Sequence, residues 1–247
     1  MASGEFLELA QRAARAARFD PSDATDLARA KEAVNEAYLT ALGGSENFDF
    51  LKREGQWVLT AGSDKYTFAS IATAMSITGA DIAEILYLTN DTDGYLAQSM
   101  SWAEMERLSY ATQDGDADGL PMYWAQIGGG DSAQVRLYPN PDSNYTLGAY
   151  VRLIPAEMSA DADEPLIPLQ HRHAVLVPHA AANLLRQEGG GEAHNEAQLY
   201  ERQYDKAWQR MRTAHATASV SKFRLKAPTW DTDHGTIVRG DPWSWTR

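Results

Sequence analysis

Two amphipathic helical patterns, one towards each end of the chain and separated by strand-like sequence, constrain the fold more than any other feature. Apolar residues recur at spacings of three and four from residue 23 to residue 42, and the helical period returns after residue 168. Each pattern has an apolar stripe that needs a partner, and packing the two ends together would bury both. We therefore predict an α+β fold, in which a helical bundle carries an inserted antiparallel β domain.

Glycine and proline mark the ends of these helices. The predicted helices run from residue 4 to 18, from 23 to 42, from 168 to the glycines at 189–191, and from 192 to 216. Pro178 removes one backbone hydrogen bond and should kink the third helix. The predicted divisions are N-terminal helices over 1–55, a β insertion over 56–158, C-terminal helices over 159–216 and an extended C-terminal tail over 217–247.

From Gln56 onwards the pattern changes to short runs rich in aromatic and β-branched residues. Clusters of Gly, Asp, Asn or Pro separate these runs, as is typical of an antiparallel sheet, and one short helix, SWAEMERLSY, interrupts them. The predicted strands are WVLT, KYTFAS, DIAEILYLT, YLAQS, MYWAQIG, QVRLYP and NYTLGAYVRLI.

The stretch LYPNPDSNYTLGAYV, residues 137–151, predicts a hairpin, since two strand patterns flank a turn rich in proline, asparagine and aspartate. Its prolines cannot donate to a strand ladder, so the chain must reverse here. An aromatic, proline-rich hairpin is suited to contact a neighbouring subunit, and the residues predicted to make that contact are Tyr138, Pro139, Pro141 and Tyr145. The alternative is an ordinary sheet edge blunted by proline.

Composition and charge exclude several classes of protein. The absence of cysteine excludes thiol catalysis, thiolate metal sites and disulfides. A net charge of -12 argues against a surface that grips nucleic acid by neutralising phosphates. No apolar run approaches the roughly 20 residues that span a bilayer, so we expect no membrane partner.

The motifs that suggest metal binding are incomplete. Asp114, Asp116 and Asp118 match the first positions of a calcium loop, but the twelfth position, which should be glutamate, is Ala125. An ordinary acidic turn is the alternative reading of this weakly calcium-like stretch. Three histidines at positions 171, 173 and 179 lack the further ligands that zinc needs and are interpreted as structural. We predict no cofactor.

Catalytic motifs are likewise absent from the sequence. The glycines at 128–130 are not followed by the lysine of a phosphate loop, there is no GxSxG, and spacing singles out no pair of carboxylates. The chain is therefore predicted not to be an enzyme. A carbohydrate- or cell-wall-active hydrolase remains an alternative, because aromatic residues stand beside Asp and Glu in the sheet region; two carboxylates facing one cleft would favour it.

Four sequence blocks follow one another over roughly residues 23 to 213. They are FDFLKREGQWVLTAGSDKYTFAS, DGLPMYWAQIGGGDSAQVRLYPNPDSNYTLGAYVRLIP, DADEPLIPLQHRHAVLVPHAAANLL and EAQLYERQYDKAWQRMR. Their content and order resemble the head-to-tail adaptor (connector) proteins of tailed bacteriophages. No single motif is decisive, and the specificity lies in the order.

The resemblance implies a structural protein of the virion neck, assembled in the host cytoplasm. Such adaptors form a ring, typically a dodecamer, below the portal protein, and the ring continues the channel through which DNA passes without sequence-specific binding. The implied partners are the portal, further copies of the chain, and the stopper or tail protein of the next ring, which the predicted hairpin could contact. A stopper or tail-terminator ring protein is the alternative, although long helices at both ends of the chain favour an adaptor.

The tail over 217–247 lies outside the resemblance and has no helical or alternating period. It has too little apolar surface to offset the entropy of ordering on its own. By its position we predict that it binds the portal or a neighbouring subunit. The predicted buried anchors are Phe223, Trp230, Trp243 and Trp245, and the residues predicted to face an acidic surface are Lys222, Arg224 and Lys226. Binding to channel DNA is the competing use of these side chains.

Overall fold

Helices lie towards both ends of the described chain and strands lie between them, which confirms the α+β class. The computed structural model describes residues 5–43, 48–111, 118–128 and 132–215. These residues all fall within one compact unit, Met1–Ala216. The described helices are α1 (Phe6–Ala16), α2 (Ala24–Leu42), α3 (Phe68–Ala74), α4 (Trp102–Ala111), α5 (Leu169–Glu188) and α6 (Gly191–His215), with a 3-10 turn over Asp49–Leu51.

Helix ends lie close to their predicted positions because the signals are local. The Asp23 carboxylate caps α2 by accepting from the backbone N–H groups of Thr25 and Asp26, at 2.8 and 3.0 Å. Pro168 stands immediately before α5, and Gly189 follows it with φ of 76°, a left-handed conformation that favours glycine. Helix α5 continues through Pro178.

One hydrophobic cluster joins α1, α2, α5 and α6, the helices from the two ends of the chain. Its fully buried side chains include Leu9 from α1, Val34 from α2, Leu176 from α5 and Met211 from α6. The buried residues of α1 are Phe6, Leu9, Ala10, Ala13 and Ala14. The alanines among them are small, so the neighbouring helices can approach α1 closely. Each helix thus buries a stripe that it could not bury alone.

A seven-stranded sheet forms a second hydrophobic cluster. The strands are β1 (Lys52–Val58), β2 (Lys65–Thr67), β3 (Ala80–Asn90), β4 (Tyr95–Ser99), β5 (Asp118–Gly119), β6 (Tyr123–Ile127), β7 (Gln134–Tyr138), β8 (Asn140–Pro141) and β9 (Thr146–Pro155). The order in the large sheet is β1-β9-β3-β4-β6-β7-β2, and β5 pairs with β8 apart from it. Alternate residues of β9, namely Leu147, Ala149, Val151 and Leu153, point into the cluster.

The prediction of a purely antiparallel insertion is wrong, because the sheet is mixed. Strand β6 runs parallel to β4, with Gln98 opposite Tyr123 and Ser99 opposite Trp124. The chain leaves β4 through α4 before it reaches β6. A connection that carries a helix can return the chain in its original direction, whereas a tight hairpin cannot.

The predicted strand KYTFAS is also wrong in its second half. The strand ends at Thr67, and α3 begins at Phe68. The Thr67 hydroxyl caps the helix by accepting from the backbone N–H of Ser70 at 3.1 Å. Phe68 and Ile71, three residues apart, are both buried, so helical spacing suits this segment better than alternation does.

A hydrogen bond to Tyr38 links the helical cluster to the segment that precedes α5. Its hydroxyl accepts the backbone N–H of Leu166 at 3.0 Å, and burial raises the pKa of Tyr38 to about 12.

Replacing Tyr38 by Phe should lower the unfolding free energy by about 1–3 kcal/mol, because the Leu166 N–H loses its acceptor in a poorly hydrated site. Urea denaturation measures this. In Tyr110→Phe, where the ring is 84% exposed, the change should stay within about 0.5 kcal/mol; equal losses in both variants would contradict the assignment.

Candidate interaction surfaces

Residues 137–151 do not form a hairpin, so that prediction is wrong. Strand β7 lies between β6 and β2, whereas β9 lies between β1 and β3. The connection between β7 and β9 is held by the segment that follows β1. Leu59 N–H donates to the Tyr145 carbonyl at 2.8 Å, and Gly62 N–H donates to the Pro141 carbonyl at 2.7 Å. These backbone bonds to a distant segment replace the pairing that a hairpin would need.

The four side chains predicted to contact a neighbour are mostly turned inward. Tyr138 is 6% exposed and packs against Met105 and Ala125, and Pro141 is buried. Pro139 and Tyr145 are half-buried, and the Tyr145 hydroxyl donates to Asp142 at 2.6 Å. The exposed residues of this connection are Asp142, Ser143 and Asn144. A contact to another protein here stays a prediction, and these three polar residues would have to make most of it.

The predicted tail contacts lie outside the described residues. This holds for Lys222, Phe223, Arg224, Lys226, Trp230, Trp243 and Trp245. The described chain ends on an aromatic cluster at the last turns of α6. The Phe48 ring meets Trp208 edge to face, with centroids 5.4 Å apart, and the His215 ring meets Phe50 and His171 at 5.6 and 5.2 Å. The last turns of α6 are therefore anchored to the residues that lead into β1.

The outer face of β1, β9 and β3 carries exposed aromatic and aliphatic side chains. Tyr87 and Tyr150 stack there with ring centroids 5.0 Å apart, and Tyr87 is 40% exposed. Val58 and Leu96, on the neighbouring strands β1 and β4, are 62% and 58% exposed. Apolar groups grouped on a solvent-facing sheet are typical of a surface that contacts another protein.

The calcium-like turn lies mostly outside the described residues, so its metal-binding role stays untested. Asp114 and Asp116 lie outside the described residues, and Asp118 begins β5, opposite Asn140 of β8. Across the described ranges, no group of three or more histidine, aspartate or glutamate side chains is arranged to hold a metal ion.

The surroundings of three half-buried histidines of α5 shift their pKa values in the same direction. Burial lowers the pKa of His171, His173 and His179 from the ordinary value of 6.5. His215 lowers the pKa of His171 further, while His179 lies against the Tyr204 ring at 4.4 Å. Neither ring nitrogen of His173 has a hydrogen-bond partner among the described residues. The folded chain therefore favours neutral imidazoles.

We expect the unfolding free energy to fall as pH drops below about 6.5 and to be nearly constant above it. The unfolded chain binds protons near the ordinary histidine pKa of about 6.5, while the folded chain binds them only at lower pH. Urea denaturation at about pH 7.5 and about pH 5.5 tests this. His173→Gln should reduce the pH dependence, and replacement of the exposed His194 should not; an unchanged dependence in His173→Gln would contradict the explanation.

Most carboxylates near the sheet are engaged in structure. The Arg136 guanidinium donates to Asp64 at 2.8 Å and to Glu106 at 2.6 Å, and Arg152 donates to Glu84 at 2.8 Å. One concavity is lined by Glu157, Asp163 and Glu164, together with Met158 and small residues and no aromatic side chain.

Two of the three carboxylates in this concavity, Asp163 and Glu164, are held by structural contacts. Backbone N–H groups of Ser159 and Ala160 lower the pKa of Asp163, and Glu164 accepts from Arg172 at 2.8 Å. A glycosidase needs one carboxyl group with a raised pKa as its general acid. The concavity therefore does not favour the hydrolase reading.

None of the described helices combines the length and the apolar character needed to cross a bilayer.

Comparison with known protein families gives a match over most of the chain. A family model described as SU10 adaptor protein matches residues 5–224, which include every described helix and strand. No curated protein matches the chain.

Proposed function

The chain belongs to the SU10 adaptor protein family, and from this premise we propose that it is a structural protein of a tailed-phage virion that joins the head to the tail. The observation that carries the proposal is the family match over residues 5–224. The sequence blocks that resemble head-to-tail adaptors lie within the same range and follow the same order as the observed helices and strands.

In the virion neck, this protein forms a ring below the portal, and the ring continues the channel for DNA. A dodecamer is the proposed stoichiometry, by resemblance to other adaptors. Exposed apolar groups such as the Tyr87–Tyr150 pair support burial against another protein, because a closed ring hides such groups in repeated heterologous contacts. The net charge of -12 is suited to a channel past which DNA slides rather than adheres.

Each ring subunit is proposed to be a helical bundle, made by residues 1–55 and 159–216, that carries a β insertion over 56–158. Two observations support this division: α1, α2, α5 and α6 share one hydrophobic cluster, and the strands form another. The tail over 217–247 is proposed to bind the portal or an adjacent subunit.

We propose no catalytic role for this chain and no cofactor. Several carboxylates in the sheet and the concavity pair with arginine or hold turns, as Glu84 and Asp163 do. A stopper or tail-terminator protein is the second candidate. The 25-residue α6 and the 20-residue α5 favour the adaptor over it, because those rival rings are expected to consist mostly of strands.

The decisive experiment mixes the purified protein with the portal protein of its own virion and images the mixture by electron microscopy. We expect a ring of density on the portal that is absent when either protein is imaged alone. If the free protein is a monomer, we expect the ring to form only when the portal protein is present. Absence of binding at concentrations well above those used for imaging would count against the adaptor role.

A further inference from the structure

The outer face of α6 carries a row of basic side chains in a chain that is strongly acidic. Arg202, Lys206 and Arg210 are exposed and lie four residues apart, so they follow one line along the helix over about 12 Å. We call these three residues the basic row. Its flanking residues include Gln203 and Gln209, both exposed.

The basic row has no acidic partner among the described residues of its own subunit. Two other basic residues are paired with carboxylates of α6: Arg186 of α5 with Glu201, and Arg18, just after α1, with Glu196. None of the ion pairs of the described residues includes a member of the basic row. Leu199, one turn before Arg202, is 55% exposed.

An acidic row of matching spacing lies on a different helix of the same chain. On α2 the exposed residues Ala28, Glu32, Glu36 and Thr40 are also four apart. Glu32 has no ion pair among the described residues, and Glu36 accepts a hydrogen bond only from the Asn183 amide, at 3.3 Å. Helix α2 carries two basic residues near this row, the exposed Arg29 and the half-buried Lys31, and Lys31 is already paired with Asp161.

We propose that the basic row on α6 of one subunit docks on the acidic row on α2 of a second copy. Two rows at four-residue spacing can interdigitate as helix ridges, and their opposite charges select this pairing. Because the two rows lie on different helices, the contact is heterologous, so each subunit offers one row to each of two neighbours. This inference rests on the proposed ring function and names the surfaces that would build the ring.

The absence of cysteine in the wild-type chain permits a direct test by cross-linking. A double variant with Gln203→Cys beside the basic row and Ala28→Cys in the acidic row is treated with a flexible bis-maleimide that spans about two helical turns, roughly 11 Å. The reaction is run on the portal-bound protein and on the concentrated free protein. We expect a ladder of trimers and larger species, which each single-cysteine variant fails to give.

Charge reversal supplies the specificity control. Changing the basic row to glutamate should lower the ladder yield at least about tenfold, and so should E32R with E36R, because like charges then face each other. Combining the two sets should restore the ladder. All five side chains are exposed, so circular dichroism and thermal unfolding should match those of the parent double variant.

Three results would overturn the proposal. The first is absence of a ladder in both the portal complex and the concentrated protein. The second is a ladder unaffected by either charge reversal. The third is binding of duplex DNA by the full chain that reversal of the basic row abolishes while the ladder persists, which would assign that row to phosphates. If the adaptor function itself were wrong, the unmodified protein would not bind the portal, and that result is distinct from the other three.

Discussion

Removal of residues 218–247 is expected to leave the folded body intact and to abolish attachment to the portal. The described hydrophobic clusters are built from side chains of residues 6–211, so thermal unfolding should be close to that of the full chain. The removed segment holds the aromatic side chains proposed as interface anchors, and such residues commonly carry most of the binding free energy. Sedimentation with purified portals, or with heads, measures the attachment.

A full-length control separates the anchors from the length of the tail. Changing Trp230, Trp243 and Trp245 to alanine should reproduce most of the loss. Changing Lys222, Arg224 and Lys226 to glutamine should weaken attachment in a salt-dependent way. If the truncated protein joined heads as well as the full chain does, the tail would have another role.

Phe48→Ala is expected to lower the unfolding free energy by about 3–5 kcal/mol. Phe48 is fully buried, stacks on Phe50 with ring centroids 4.9 Å apart, and meets Trp208 of α6 edge to face. Truncation would leave a cavity where the chain passes from the helical cluster into β1, and it would remove both ring contacts. Urea denaturation monitored by circular dichroism measures the loss.

Tyr110→Ala is the matched control for this variant, because it removes an aromatic ring that is 84% exposed. Its change should stay within about 0.5 kcal/mol. Phe48→Leu, which keeps apolar volume, should fall between the two. A loss in Phe48→Ala no larger than in the control would show that this junction does not contribute to stability.

The long helices could be predicted from the sequence because their signals are local, whereas the short α3 was predicted as a strand. Asp23 caps α2, Pro168 precedes α5 and Gly189 ends it, and each signal acts within one turn of the chain. The apolar stripe of α6 was visible in the same way, and Tyr200, Tyr204 and Trp208 do pack against the helical cluster. Short-range geometry is sufficient for such assignments.

Strand pairing could not be read from local pattern. Residues 137–151 contain the composition of a hairpin, yet β7 and β9 pair with other strands, because the segment after β1 supplies the backbone donors that hold their connection. Likewise, the parallel pairing of β4 with β6 depends on where the chain returns after α4. Both arrangements are set by partners distant in sequence, so no local pattern shows them.

The order of helical and strand-like patterns was enough, by itself, to predict the α+β class, and the resemblance of four sequence blocks to known adaptors predicted the family. The tertiary structure decided which side chains remain free to bind. Arg202, Lys206 and Arg210 are plain to see in the sequence as basic residues, and so are Arg186 and Arg18. Only the structure shows that Arg186 and Arg18 are paired with carboxylates within the chain. Whether a charge is available depends on which residues folding brings within a few ångströms of it, and that is a property of the packed helices rather than of the sequence pattern.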